Sequence, residues 1–408
     1  MQHQNIVFQG LLKHVPWGVL DRLVDEQGAD WDPRVVKTRT HLIAMLYGQL
    51  SDARGLREIE TGLKSHAGKL YHLGGCTVSK SALSTANASR PTEVFSGLLS
   101  VLMQQLQSGY RRKIRDIREC VRLIDSTSVR LNSLSGDWAM FSTGVFGAKA
   151  HVIYDPDADQ PLYLMVTASN VNDITAAKEM PVEAGATYVF DLGYYGYGWW
   201  ALLDRAACRI VTRLKSNTPF EVVEHRPLEP VSSILSDRIG HLPQRLAASR
   251  KNPMSRPVRE VQVMTETGKA LRIFTNDLTA SAQDIADLYK RRWAIELFFR
   301  WVKQTLRISH FFGTSENAVR IQIAVALIAF MLLRLAHEAN RIVESPLAFV
   351  RLIRANLMHR RSIADLLPTA TPPTPAAKQT AFNFGAAATR TAHRRRANRA
   401  CAPIARAA

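Results

Sequence analysis

Cysteine is scarce in this 408-residue chain, and its four copies, Cys76, Cys120, Cys208 and Cys401, stand far apart. No C-x-x-C pair and no Cys/His grouping at zinc spacing occurs, which argues against a structural zinc and for reduced thiols. Long apolar runs are missing too. The longest, Ile321 to Leu333, contains Gln322 and stops at Arg334, too short for a hydrocarbon layer of about 30 Å. The opening MQHQNIVFQG lacks a basic segment followed by an apolar one, so no secretory signal is expected. Negative charge is also in short supply: 35 Asp+Glu face 53 Lys+Arg, for a formal net charge of +18. Such a surplus points to a polyanion, because Lys and Arg displace the counterions of phosphate backbones. From Arg351 to Ala408, however, eleven Lys/Arg stand against one Asp, so +10 of the +18 lies in the tail. The expectation is a soluble cytoplasmic protein without a membrane partner, on the nucleoid when bound to DNA.

What is present divides the chain. Residues 1–112 read as helical, with apolar spacing in Val19-Leu20-Leu23-Val24, Leu42-Ile43-Leu46 and Phe95-Leu98-Leu99-Leu102. Leu56 to Leu73 reads as one helix ended by Gly74-Gly75. Thr77 or Ser79 then caps another that stops near Arg90-Pro91. Two short helices around a glycine turn suggest helix-turn-helix, offering Lys80, Ser81, Ser84, Asn87 and Arg90 to DNA, though a plain helical bundle gives the same pattern. From Ile117 short β-type runs alternate with helices, which implies an α/β core over 113–213 and 271–345. Residues 214–270, rich in Pro, Ser and Arg, read as a β-leaning inserted subdomain. Residues 346–408 form a basic segment, disordered from about 368 by its Ala/Thr/Pro/Arg composition.

The sharpest feature is a helix expected from Ser281 to Leu306. Tyr289, Arg292, Glu296 and Lys303 fall at about 0°, 300°, 340° and 320° at roughly 100° per residue, an arc of about 60°. Phe299 and Trp293 border it. A stripe of carboxylate, guanidinium, ammonium and phenol between hydrophobes is unlike a solvated face, although Arg292 and Glu296 also suit a simple i,i+4 ion pair. Asp125 follows the apolar run Val121-Arg-Leu-Ile124, and Asp191 follows Thr187-Tyr-Val-Phe190. Carboxylates at strand ends face the edge where α/β sheets bind ligands. Three carboxylates from separate elements suit two Mg²⁺ ions roughly 4 Å apart that activate the attacking oxygen and stabilise the leaving one. Each Asp alone also suits a strand-end turn.

These residues resemble the DDE transposases of the insertion-sequence-four family. The family signature is Tyr, two residues, Arg, three residues, Glu, six residues, Lys, and YKRRWAIELFFRWVK (Tyr289 to Lys303) matches it in full. LIDSTSVRL resembles the strand of the first Asp, FDLGYYG that of the second, and SKSALSTANASRP the family's DNA-binding start. The resemblance spans roughly residues 5–340. It implies an RNase H-like mixed-sheet catalytic core, a β-rich insertion and an all-helical DNA-binding start. It further implies catalytic, metal-binding Asp125, Asp191 and Glu296, Mg²⁺ with Mn²⁺ able to substitute, and double-stranded DNA bound by a homodimer. Tyr289, Arg292 and Lys303 become DNA contacts, as do Lys149 and His151, two apart on a strand. The implied activity is bacterial insertion-sequence transposition, with a DNA-binding remnant or a plain metal-dependent nuclease as alternatives. One departure stands out: between Leu214 and Ala270 Phe220 is the only Phe, Tyr or Trp. An insertion tryptophan that stacks on a flipped base while a DNA hairpin forms in family members is therefore missing; either another residue such as Trp199 or Trp293 supplies the stack, or the flanking ends are processed differently.

Other signals weigh less. Asp155, Asp157 and Asp159 mimic a calcium loop, but Gln160 and Val166 stand where Gly and Glu belong, so a hairpin turn is expected. Asp173 reads as a helix N-cap rather than a metal ligand. The GYYGYG glycines lack phosphate-loop spacing.

Overall fold

The structure, a computed structural model, describes residues 6–32, 36–113, 120–228, 233–247, 250–306, 311–342 and 344–366. The tail expected to be disordered from about residue 368 lies outside the described residues. The helical start is α1 (Val7–Leu12), α2 (Trp17–Glu26), α3 (Thr38–Ser51), α4 (Leu56–Ser65), α5 (Ala67–Leu73), α6 (Lys80–Ser89) and α7 (Thr92–Lys113). The single helix expected from Leu56 to Leu73 is broken at His66. Gly74 ends α5 at φ +72°, a left-handed cap that glycine adopts without strain. Ser79 caps α6, accepting from the Ala82 N–H.

The core begins with β1 (Val121–Leu131), α8 (Gly136–Ala139), β2 (Met140–Ser142), β3 (Val145–Asp155) and β4 (Gln160–Ala168). It continues through α9 (Asp173–Ala177), β5 (Thr187–Phe190), α10 (Tyr197–Arg205) and β6 (Arg209–Arg213). The inserted strands are β7 (Glu221–His225), β8 (Ile234–His241), β9 (Arg245–Ala247), β10 (Arg250–Lys251) and β11 (Val258–Met264). Then come β12 (Ala270–Thr275), α11 (Ala282–Arg291), α12 (Trp293–Thr305), α13 (Glu316–Ala339) and α14 (Pro346–Asn356).

One mixed sheet runs β2-β3-β1-β5-β6-β12-β11-β8-β7, with β4 on the far side of β3. β1, β3 and β4 pair antiparallel, whereas β1-β5 and β5-β6 pair parallel, an RNase H-like arrangement. The insertion is not a separate body: β12 pairs with β6, and β11, β8 and β7 follow, so the inserted strands lengthen the core sheet. Sequence patterning shows that these segments are strands but not whom they pair with, because alternation is the same beside any partner.

Alternation along the strands gives the sheet two apolar faces. Val121, Leu123, Val189 and Val211 join one buried cluster with α12, α13 and the N-terminal helices. Ile124, Phe190, Ile210 and Phe274 join a second, with Trp199 and Trp200 of α10. Among the described residues α13 is the one helix long and apolar enough to cross a membrane, but most of its apolar stretch is buried inside the protein. It packs against α1, α3, α6, α7, α12 and α14, which makes it the shared core of helical start and sheet. Residues 346–366 also fold onto this core through buried Phe349, Val350 and Ile353.

Candidate active site

The register of β1 against β5 brings the first two carboxylates together. Val121 to Ile124 pair in parallel with Thr187 to Phe190, and Ile124 stands opposite Phe190. The next residue on each strand is an aspartate, so Asp125 and Asp191 lie side by side on neighbours whose spacing is about 4.8 Å. Asp125 is not at a strand end, as its apolar run suggested. β1 continues to Leu131 against β3, with Asp125 opposite Val152. What ends at Ile124 is the β5 partner, which frees that flank of Asp125. The Asp191 carboxylate accepts the Gly193 N–H at 2.8 Å and so caps a short turn over Leu192–Tyr194.

The third carboxylate comes from the helices on the β1 face. The expected continuous helix is interrupted at Arg292, where i,i+3 bonds (Arg292 N–H to Tyr289 O, Ile295 N–H to Arg292 O) tighten the chain. The Arg292 guanidinium lies 3.3 Å from Asp125 and also pairs with Glu296, joining two of the three acids. It sits 5.9 Å from the Tyr289 ring. Lys303 lies farther along α12, lining a small cavity with Thr127, Val129 and Phe299, and burial lowers its pKa.

The electrostatics reflect crowding of like charge. Burial, then the Asp191 charge and more weakly Glu296, push Asp125 up to about 7, against the Ser126 N–H and Arg292. Burial works against the Arg292 charge, yet Tyr289, Glu296 and Asp125 hold its pKa above the ordinary value. Among the described residues no group of three His, Cys, Asp or Glu side chains is drawn close enough to enclose a metal ion. The side-chain cation between Asp125 and Glu296 is Arg292. The donor chemistry nonetheless fits a hard divalent ion, because the half-buried Asp125 carboxyl, crowded by the charge of Asp191 and Glu296, is relieved by positive charge.

The remaining expected residues divide. Lys149 lies at the site: its ammonium binds Asp173 at 3.1 Å and the Val171 carbonyl at 3.0 Å. His151 faces the same way but is 0% exposed and bonded to Thr167, so it offers no surface to DNA. Burial lowers its pKa to about 4 and keeps it neutral. Arg90 is 4% exposed, paired with Asp30 and donating to Thr38 and the Val36 carbonyl. Asn87 is likewise buried against His41. Both expectations of DNA contact fail because these side chains turn inward from the end of α6. Lys80, Ser81 and Ser84 stay exposed on it. Trp199 is 3% exposed and packs on Phe190, which removes it as a stacking platform, whereas Trp293 is 49% exposed with Arg300 over its ring. The YDPDADQ segment is the expected hairpin turn, Asp155 opposite Gln160.

Two residues were missed. The N-cap of α9 is Asn172, so Asp173 does not cap it. Its carboxylate instead accepts from Ser126 and Lys149 beside the paired aspartates. Tyr194, inside the quoted FDLGYYG, is buried, and burial followed by Asp125, Asp173 and Asp191 raises its pKa. Only its place three residues after Asp191 hinted at this.

Residues 116–332 match a family model described as the transposase DDE domain, and residues 3–76 match one described as a domain of unknown function. The chain is 42% identical over 284 residues to a putative transposase, y4zB, of Sinorhizobium fredii, covering 70% of this chain and 79% of that protein. It is 31% identical to a probable transposase for insertion sequence element IS5377 of Geobacillus stearothermophilus, over 68% of this chain and 71% of that one. Among solved structures, a piggyBac transposase synaptic complex with hairpin DNA aligns at a TM-score of 0.43 and 11% identity, covering 91% of this chain and 88% of that one.

Proposed function

The chain belongs to the DDE transposase family, and from that premise we propose that Asp125, Asp191 and Glu296 are its catalytic carboxylates. It is a transposase of a bacterial insertion sequence; the proposal concerns how it acts. It cuts at the element's ends and joins the freed 3′ hydroxyl to target DNA. The carrying observation is the Ile124–Phe190 register, which sets Asp125 beside Asp191 under an Arg292 that also holds Glu296.

The three carboxylates present hard oxygens from two strands and one helix, rigid supports for positioning a reacting phosphate. Bound there, divalent ions (two Mg²⁺, or Mn²⁺) would supply activation of the attacking oxygen and charge for the leaving one. Arg292 grips a phosphate by its forked donors once its carboxylate partners are otherwise neutralised. Tyr289 backs that guanidinium, and Lys303 and Lys149 add charge along the strand. The exposed side of α6, with Lys80, Ser81 and Ser84, supports contact with the element's end. No covalent enzyme intermediate is required. A homodimer holding two ends is part of the proposal, as is membership of the insertion-sequence-four branch.

One assay tests this: purified full chain with Mg²⁺, an end-containing substrate and a target plasmid. The expected result is end cleavage followed by joined products, lost in Asp125→Ala, Asp191→Ala and Glu296→Ala while end binding persists. Nicks without joining would indicate a nuclease, and binding without nicks a DNA-binding remnant. Cleavage retained in any alanine variant would remove that residue from the triad.

A further inference from the structure

The site is fed from both faces of the sheet. Glu296 and Arg292 approach from the α12 side. On the other side, Ser126 alternates away from Asp125 along β1, and Asp173 opens α9 and accepts from the Ser126 hydroxyl at 3.0 Å. Gly193 measures how near Asp173 comes to Asp191: a Cβ there would lie 2.7 Å from the Asp173 Oδ2 and 3.0 Å from the Asp191 Oδ1. Two buried polar atoms aim into this acidic cluster. The Tyr194 hydroxyl has no hydrogen bond of good geometry, although Ser126 lies beside it. The His151 Nδ1 is also without a hydrogen bond and stands 3.7 Å from the Asp173 Oδ1.

We propose that Asp173 is a fourth carboxylate of the divalent-cation site, and that Lys149 is its resident counter-ion, released to a DNA phosphate when the cation binds. The inference rests on the reading of Asp125, Asp191 and Glu296 as that site. Four carboxylates meet two basic side chains of the chain's own: Arg292 on Asp125 and Glu296, and Lys149 on Asp173. One divalent ion balances the remaining charge, and a second leaves both basic side chains in surplus. Lys149 is the easier to release. It is a point charge on a flexible stem, held by one carboxylate and one carbonyl at the site's half-buried edge. Cation and DNA binding then strengthen each other, since each draws Lys149 off Asp173.

The test uses the full chain in two titrations: Mn²⁺ binding without DNA, read by the resonance of free Mn²⁺, and anisotropy of a labelled end duplex with and without Ca²⁺. Lys149→Met is expected to bind Mn²⁺ about tenfold tighter, having lost the competing cation, and to lose part of the Ca²⁺-dependent gain in DNA affinity. Asp173→Asn is expected to bind Mn²⁺ about tenfold more weakly, with Asp173→Glu restoring much of it. Wild-type Mn²⁺ affinity in both Lys149→Met and Asp173→Asn, with loss in Asp125→Asn, would overturn this inference and leave the triad standing. Unchanged affinity in Asp125→Asn would instead overturn the triad reading. If Asp173→Asn does not fold, Lys149→Met decides alone: equal or weaker Mn²⁺ affinity refutes the counter-ion role.

Discussion

Replacing Asp125 by Asn should make the metal-free protein more stable while abolishing its chemistry. Asp125 is mostly buried beside Asp191, and its pKa rises from 3.8 to about 7. Folding at pH 8 must therefore hold a carboxylate ionised where the fold disfavours the charge. About three pKa units at roughly 1.4 kcal/mol each gives an upper figure of about 4 kcal/mol. Asn keeps the shape without the charge but gives up the Arg292 pair, so a net gain of roughly 2 kcal/mol is the working value, about 2–3 °C in Tm for a folded unit of this length. The sign follows from linkage. A group whose folded pKa is raised contributes stability below its unfolded pKa and loses it as pH rises through the folded value. The gap between variant and wild type should open between about pH 4 and pH 7. Thermal melts in chelator at pH 4.5 and pH 8 measure it. Added Mg²⁺ should then stabilise the wild type more than Asp125→Asn, because the variant has lost one of the site's charged ligands. An Asn variant less stable than wild type at pH 8 in chelator, or equally stabilised by Mg²⁺, would refute the crowded-carboxylate argument.

Three further outcomes follow from the geometry. Arg90→Ala should cost about 3 kcal/mol in denaturant unfolding, since it leaves the Asp30 carboxylate with only its Thr38 donors and unties α6 from the start of α3. Lys80→Ala should leave stability unchanged and lower the salt slope of end binding by about one; the opposite pattern would restore Arg90 as a DNA contact. Gly193→Ala should weaken Mn²⁺ binding and cleavage at nearly unchanged Tm, because its methyl would press on the Asp173 and Asp191 carboxylates. Wild-type cleavage in that variant would show that the carboxylates give way freely.

Local rules carried much of this protein in its sequence. The Tyr289–Lys303 stripe, the two runs that end in aspartate and the serines that open α6 and α11 are legible there. Each depends on a cap within one helical turn, on helical periodicity or on strand alternation, so short-range sterics and hydrogen bonding suffice. What only the tertiary structure decided is non-local. Nothing in Arg90 or His151 says that it turns inward, because burial depends on what packs above it. The Ile124–Phe190 register, the joining of the inserted strands to the core sheet and the break at Arg292 each answer to partners distant in the chain. So does Asp173, which reads as a cap beside its neighbours and becomes part of the acidic cluster only when α9 is laid against the far face of β1.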